Sequence, residues 1–199
     1  MFESENRANP SAPRSEETPM TDLSALTPGT WNVDTAHSTV GFVARHLMIT
    51  KVRGTFTDFD GVVTIDDDPL ASSLVANVRL DSVDTGNADR DAHLRTADFF
   101  GVEDHPEMSL RSTAIREDGG DYVLVGDLTI AGQTHRVEFA LEFDGVRQDP
   151  FGNTKAGFSA STDINRSDWG LSFNMALETG GVLVSEKIHI DLDVQLVRS

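Results

Sequence analysis

Three short clusters hold the residues that could do chemistry. They are His37-Ser38 with Arg45-His46, then Arg90-Asp91-Ala92-His93-Leu94, then Arg166-Ser167-Asp168-Trp169-Gly170-Leu171. Histidine, serine and aspartate together invite a catalytic triad, in which an imidazole takes the serine proton and a carboxylate orients the imidazole. No Gly-x-Ser-x-Gly elbow surrounds any serine, and nothing in the spacing sets a base beside a nucleophile. His37, His46 and His93 are the candidates for a metal. They lack His-x-x-x-His and His-Glu-x-x-His spacing, and a strand histidine more often satisfies a hydrogen bond. Neither a catalytic residue nor a metal site is assigned. Arg45 and Arg166 suit another task, pairing with a phosphate or carbonyl on a ligand's head. They suit ordinary ion pairs with some of the 33 Asp and Glu equally well. Residues 90–94 also have two readings. One is a lid helix whose Asp91 and His93 pin neighbouring loops; the other is a set of polar groups at a barrel mouth. Trp169 and Phe173 read as corner packing, and Phe99 and Phe100 as seals of the lid.

The elements that must position these clusters follow from a period of two, which begins at Trp31. Near the C-terminus Val182, Val184, Glu186, Ile188, Ile190, Leu192, Val194 and Leu196 make one face, and Leu183, Ser185, Lys187, His189, Asp191, Asp193 and Gln195 the other. That is a long strand with a dry and a wet side. The same alternation runs through 135–143, 74–80, 122–130, 40–44 and 156–164. Turn signals separate the runs at 58–61, 117–121, 131–133, 149–153 and Gly180-Gly181. Strands joined by short turns give an antiparallel sheet rather than βαβ units. About eight strands fit, with one internal helix over 88–97 capped by Asn87 or Asp89. A closed barrel and a two-sheet sandwich both satisfy this pattern. The barrel is preferred because strands of ten or more residues are long for a sandwich, and closure removes exposed edges. Residues 1–28 carry four of the seven prolines and read as a disordered tail. Leu23 and Leu26, three apart, could dock one helical turn.

Composition excludes several classes. The 199 residues carry 16 Lys+Arg against 33 Asp+Glu, a net charge of −17. Nucleic-acid binding needs a basic stripe, and an anionic membrane would repel such a chain as a whole. The absence of cysteine removes disulfides, thiolate metal sites and thiol nucleophiles. No apolar run is long enough to span a membrane as a helix, so stable insertion is not expected. The stretch from Met1 to Met20 lacks the basic and apolar regions of a signal peptide, and the expectation is a cytoplasmic protein.

A dry barrel interior is either packed solid or open to an apolar guest. Small residues at inward positions, Ala44, Ala76, Ala114, Gly126, Ala156 and Ala160, favour space; large ones, Phe42, Phe56, Phe139, Phe143 and Phe158, favour filling. Each buried CH₂ of a guest is worth roughly 0.8 kcal/mol, so ten contribute about 8 kcal/mol before ordering costs.

Five motifs in order resemble the YceI-like family. They are Trp31–Ser38 with Phe42–Leu47 and Val52–Phe56, then Ser82–Thr85, Arg90–Leu94 with Asp98–Phe100, Gly126–Gly132, and Arg166–Leu171. The resemblance spans roughly residues 30–197. It implies an extended, lipocalin-like antiparallel barrel, a polyisoprenoid or similar long amphiphile in the lumen, and a homodimer. The expected site follows. Phe42, Phe56, Leu128, Phe139, Phe158 and Ile188 grip the tail, Ala44 leaves it room, and Arg45, His46 and Arg166 meet the head. No cofactor is called for beyond a bound isoprenoid lipid. The reading is a lipid carrier or store formed by residues 29–199. The alternatives are an enzyme acting on such a lipid, with His93 and Asp91 as acid and base, and a structural or stress-response dimer with a filled barrel.

Overall fold

The computed structural model describes residues 22–176 and 182–199. Among them, eleven strands run antiparallel in one sheet: β1 (Gly29–Val33), β2 (Thr39–His46), β3 (Thr50–Phe56), β4 (Phe59–Ile65), β5 (Ser73–Arg79), β6 (Val83–Asp84), β7 (Glu107–Asp118), β8 (Asp121–Ile130), β9 (Gln133–Gln148), β10 (Thr154–Asn165) and β11 (Lys187–Arg198). Eight of them, in the order β1-β4-β5-β7-β8-β9-β10-β11, close on themselves because β1 pairs with both β4 and β11. This is the eight-stranded antiparallel barrel expected from the alternation, with one short helix, α1 (Ala88–Arg95). The remaining strands, β2, β3 and β6, form a flap. β1 takes Leu196–Arg198 of β11, and β2 takes His189–Asp193 further along the same edge. β3 and β6 then extend outward from β2.

Alternation places Ile190, Leu192, Val194 and Leu196 on the inner wall, as expected. Two details depart from the strict period. The last strand begins at Lys187 rather than Val182, and Val182 and Val184 make only isolated bridges. Ser185 explains the break. It is buried, its Oγ donates to its neighbour Lys187 O (2.8 Å), and it accepts from Arg45 N (2.8 Å). A side chain bonding to nearby backbone competes with the sheet ladder. The Gly180-Gly181 turn lies outside the described residues. The second departure is a bulge in β7 between Ser112 and Ala114. One extra residue shifts every later side chain to the other face. Ala114 is therefore exposed and Ile115 points to the lumen, reversing the expectation for Ala114.

The N-terminal turn expected from Leu23 and Leu26 is present over Leu23–Ala25, with Asp22 Oδ1 accepting from Ser24 N (2.9 Å). Both leucines are buried with Trp31, whose indole N–H donates to Thr27 O (3.0 Å). Of the segment read as a tail, residues 1–21 lie outside the described residues. α1 starts at its expected cap, Asn87 Oδ1 accepting from Arg90 N (3.0 Å). It ends two residues early because Thr96 N and Oγ1 both donate to His93 O. Leu94 and Phe100 pack on Phe56, Val78, Leu80 and Val83, so the α1 segment and the flap share one core beside the barrel.

Candidate ligand-binding lumen

Inside the closed barrel lies a cavity of about 180 Å³. Its wall runs from Leu23, Leu26 and Ile65 at one end, past Leu74, Phe139, Phe158 and Leu192, to Met108 and Ile130 at the other. Of the lining residues only Asp60 and Ser72 have polar side chains. A dry apolar cavity of about 150 Å³ admits a single aromatic ring, whereas drug-sized pockets start near 300 Å³. The space therefore suits a slender hydrocarbon chain better than a bulky ring system.

The structure divides the expected site residues into three places. Leu128, Phe139 and Phe158 line the lumen. Phe42 and Phe56 do not. They pack against each other (centroids 5.7 Å apart), and Phe56 meets Phe100 (5.8 Å), in the separate core under the flap. Ala44 and Ile188 also fall outside the lumen lining, because both lie where β2 and β11 run on past the cavity. Arg45 and His46 are exposed at the far end of β2. Arg166 is buried, its Nε donating to Ser185 O (3.0 Å) and its guanidinium also to Leu171 O. Its remaining nitrogen has no hydrogen bond and lies 3.5 Å from Glu186 Oε2. Arg45 and Arg166 thus meet only through Ser185, the Arg45 backbone on one side and the Arg166 guanidinium on the other, and none of the three head-group candidates lines the lumen.

Small residues make less space than their size alone implies. Only Ala76 and Ala160 of the six line the lumen. Ala156 is packed into the core around Trp31. A Cβ at Gly126 would come within 2.8 Å of Leu110 Cδ1 and 2.9 Å of Arg111 O, so that glycine answers the bulge on β7 and not a ligand. Sequence reasoning also passed over part of the wall. Leu74, Leu124, Ile190 and Leu192 were legible as inward by alternation. Leu23 and Leu26, which close one end, carried only their three-residue spacing.

The polar clusters prove to be strand junctions. At the break between β1 and β2, Asp34 Oδ2 accepts from Lys155 Nζ (2.5 Å) and lies 3.1 Å from His37 Nδ1. Ser38 Oγ donates to Asp34 O (2.7 Å) and accepts from Gln195 N (2.9 Å). The Lys155 ammonium holds the Asp34 carboxyl below the ordinary aspartate range, with His37 adding to it. In α1, buried Asp91 accepts from Thr85 N (3.0 Å) and Thr85 Oγ1 (2.5 Å), while Arg90 Nε donates to Thr85 Oγ1 (2.7 Å). His93 Nε2 lies 2.8 Å from Asp98 Oδ2, its ring held edge-on between Phe99 and Phe173. Trp169 donates to Leu128 O (3.0 Å) and caps the barrel end against His135. Among the described residues, no three His, Asp or Glu converge as metal ligands. No helix there is long and apolar enough to cross a membrane.

The YceI-like domain family matches residues 31–196, almost the whole barrel. This chain belongs to the YceI-like family. A UPF0312 protein of Staphylococcus epidermidis is 41% identical over 167 residues, covering 83% of this chain and 95% of the relative. The crystal structure of the Campylobacter jejuni YCEI protein is 28% identical with a TM-score of 0.67, covering 78% of this chain and 90% of that one. The fold is also that of a polyisoprenoid binding domain from Saccharophagus degradans, implicated in plant cell wall breakdown. That match has a TM-score of 0.65 at 15% identity, covering 85% of this chain and 98% of that one.

Proposed function

We propose that this YceI-like protein binds a long-chain amphiphilic lipid in its barrel, a polyisoprenoid or a chain of similar width, and carries or stores it without transforming it. The observation that supports this most is the lumen: a closed barrel with an apolar wall and unfilled space along its axis. Apolar surface facing a void lacks both water and packing partners, and a hydrocarbon guest restores the contacts. The named ligand of the Saccharophagus degradans domain fits the same chemistry. Carriage without turnover accords with the polar clusters. His93 and Asp91, the pair an enzyme would use, are each held by partners within the chain. The flexible chain of the guest would lie along Leu128, Phe139, Phe158 and Leu192, with any polar head toward Ser72 and Pro69 at the rim.

Native mass spectrometry of protein purified without detergent tests this. The expected result is a mass excess that organic extraction releases as one class of lipid in near-stoichiometric amount. An unliganded mass together with no uptake of added isoprenoid would overturn the reading.

A further inference from the structure

The hairpin between β2 and β3 is unusual in both backbone and surface. His46 O accepts from Ile49 N (3.0 Å), and the two residues between, Leu47 and Met48, have φ of 52° and 59°. Turns of this shape favour Asn-Gly, because a bulky side chain is crowded by backbone when φ is positive. The comparable turn between β8 and β9 uses Ala131 and Gly132 at these positions. Leu47, Met48 and Ile49 are moreover 37%, 53% and 79% exposed. Neither backbone preference nor burial within the barrel accounts for three large apolar residues in a row at this tip.

The charge around the tip runs against that of the chain. Two of the three lysines in a protein of net charge −17, Lys51 and Lys187, flank it. Arg45 pairs across from Lys51, and Arg53 lies two residues further along β3. All four are exposed, and Arg45, Lys51 and Lys187 edge a shallow recess with Met48 and His189. Among the described residues the acids facing them are few. Asp163 lies 3.4 Å from Lys187 and 2.8 Å from His189, and Glu186 is turned toward Arg166. Screening limits the reach of a surface charge to about 8 Å at physiological salt. A local surplus of cations therefore acts on a nearby surface although the whole chain is acidic.

We propose that this hairpin docks the protein on an anionic lipid bilayer. Leu47, Met48 and Ile49 enter the headgroup layer, and Arg45, Lys51, Arg53 and Lys187 meet lipid phosphates. Apolar residues bordered by cations are the pattern of interfacial binding. A second copy of the chain fits less well, since a two-fold contact would set these cations against themselves. The docking stands on this surface alone and does not depend on what occupies the lumen. Phe151 supplies the contrast. It is 89% exposed on the turn between β9 and β10, but it is a lone apolar residue flanked by Asp149 and Asn153.

Co-sedimentation of the full chain with vesicles tests the proposal, comparing pure phosphatidylcholine with a mixture containing about one-third phosphatidylglycerol. The expected result is binding to the anionic vesicles only, weakened by added salt. Ile49→Asp and the pair Arg45→Glu with Lys51→Glu each weaken it about tenfold or more. Phe151→Asp leaves it unchanged. These positions are all exposed, and unaltered thermal midpoints verify that the variants fold. Equal binding to neutral vesicles, no binding to either, or full binding by the hairpin variants would overturn the proposal. So would a wild-type dimer that Ile49→Asp converts to a monomer without any vesicle binding, which would make a second copy the occupant.

Discussion

Around Trp31 the barrel is packed tight: Leu23, Leu26, Ile65, Phe143, Ala156 and Leu196 enclose an indole with no exposed surface. Two residues back along β4 and β11, Val63 and Val194 face an open space, as does Leu74 on β5. The two regions draw on similar apolar side chains, so hydrophobicity does not separate them. The difference lies in what reaches the axis. At the packed end the Trp31 indole and the turn that carries Leu23 and Leu26 pack into one cluster; elsewhere on the wall, the small side chains of Ala76 and Ala160 leave room. A wall built to be filled from within shows its own plug. This lumen has apolar walls and unfilled space between them.

The comparison can be broken by mutation, beginning with the largest effect. Trp31→Ala should destabilise the protein by about 3–5 kcal/mol in chemical denaturation, the usual loss for a fully buried indole. A much smaller loss would mean that this end is not packed as described. Arg166→Ala should come next, at about 2–4 kcal/mol, because it strips the donors from two buried carbonyls, Ser185 O and Leu171 O. Arg45→Ala, on the exposed hairpin, should stay within about 0.5 kcal/mol. Equal losses at the two arginines would contradict the assignment of Arg166 to the fold.

Filling the lumen sharpens the contrast. Ala76→Leu should change stability by less than about 1 kcal/mol, whereas overpacking a solid core costs about 1–3 kcal/mol. The same substitution should abolish uptake of an apolar fluorescent dye. A large stability loss with dye uptake intact would show that the interior is already full. The smallest effect concerns pH. Lys155 holds Asp34 ionised below the usual carboxylate range. A group with a lowered folded pKa stabilises fully above its unfolded value and loses that contribution as pH falls through the folded one. Unfolding midpoints measured from about pH 6 down to about pH 3 should therefore fall further for the wild type than for Asp34→Asn.

Much of this fold was legible in the residues. Alternation in 122–130, 135–143 and 188–196 marked the strands and their inner faces, because a half-buried sheet repeats every two residues. The bulge before Ala114 was not legible, since one extra residue leaves no local mark on the pattern. Nor was the flap. Phe42 and Phe56 alternate as barrel residues do, yet they turn to a second core formed with α1, a contact set by tertiary pairing. The candidate site was legible only on its apolar side. Leu128, Phe139 and Phe158 share the lumen, while Arg45, His46 and Arg166 were singled out by residue type. Type says what a group can bind. It does not say that a serine carbonyl nineteen residues away has already claimed it.

The central claim is that an elongated guest occupies the barrel axis. A crystal structure of protein purified without detergent tests it most directly, through difference density inside the barrel. The account predicts continuous, elongated density touching Leu128, Phe139, Phe158 and Leu192, of a width that suits a single hydrocarbon chain. A lumen closed along its length by the protein's own side chains, with the lipid absent or bound elsewhere, would contradict it.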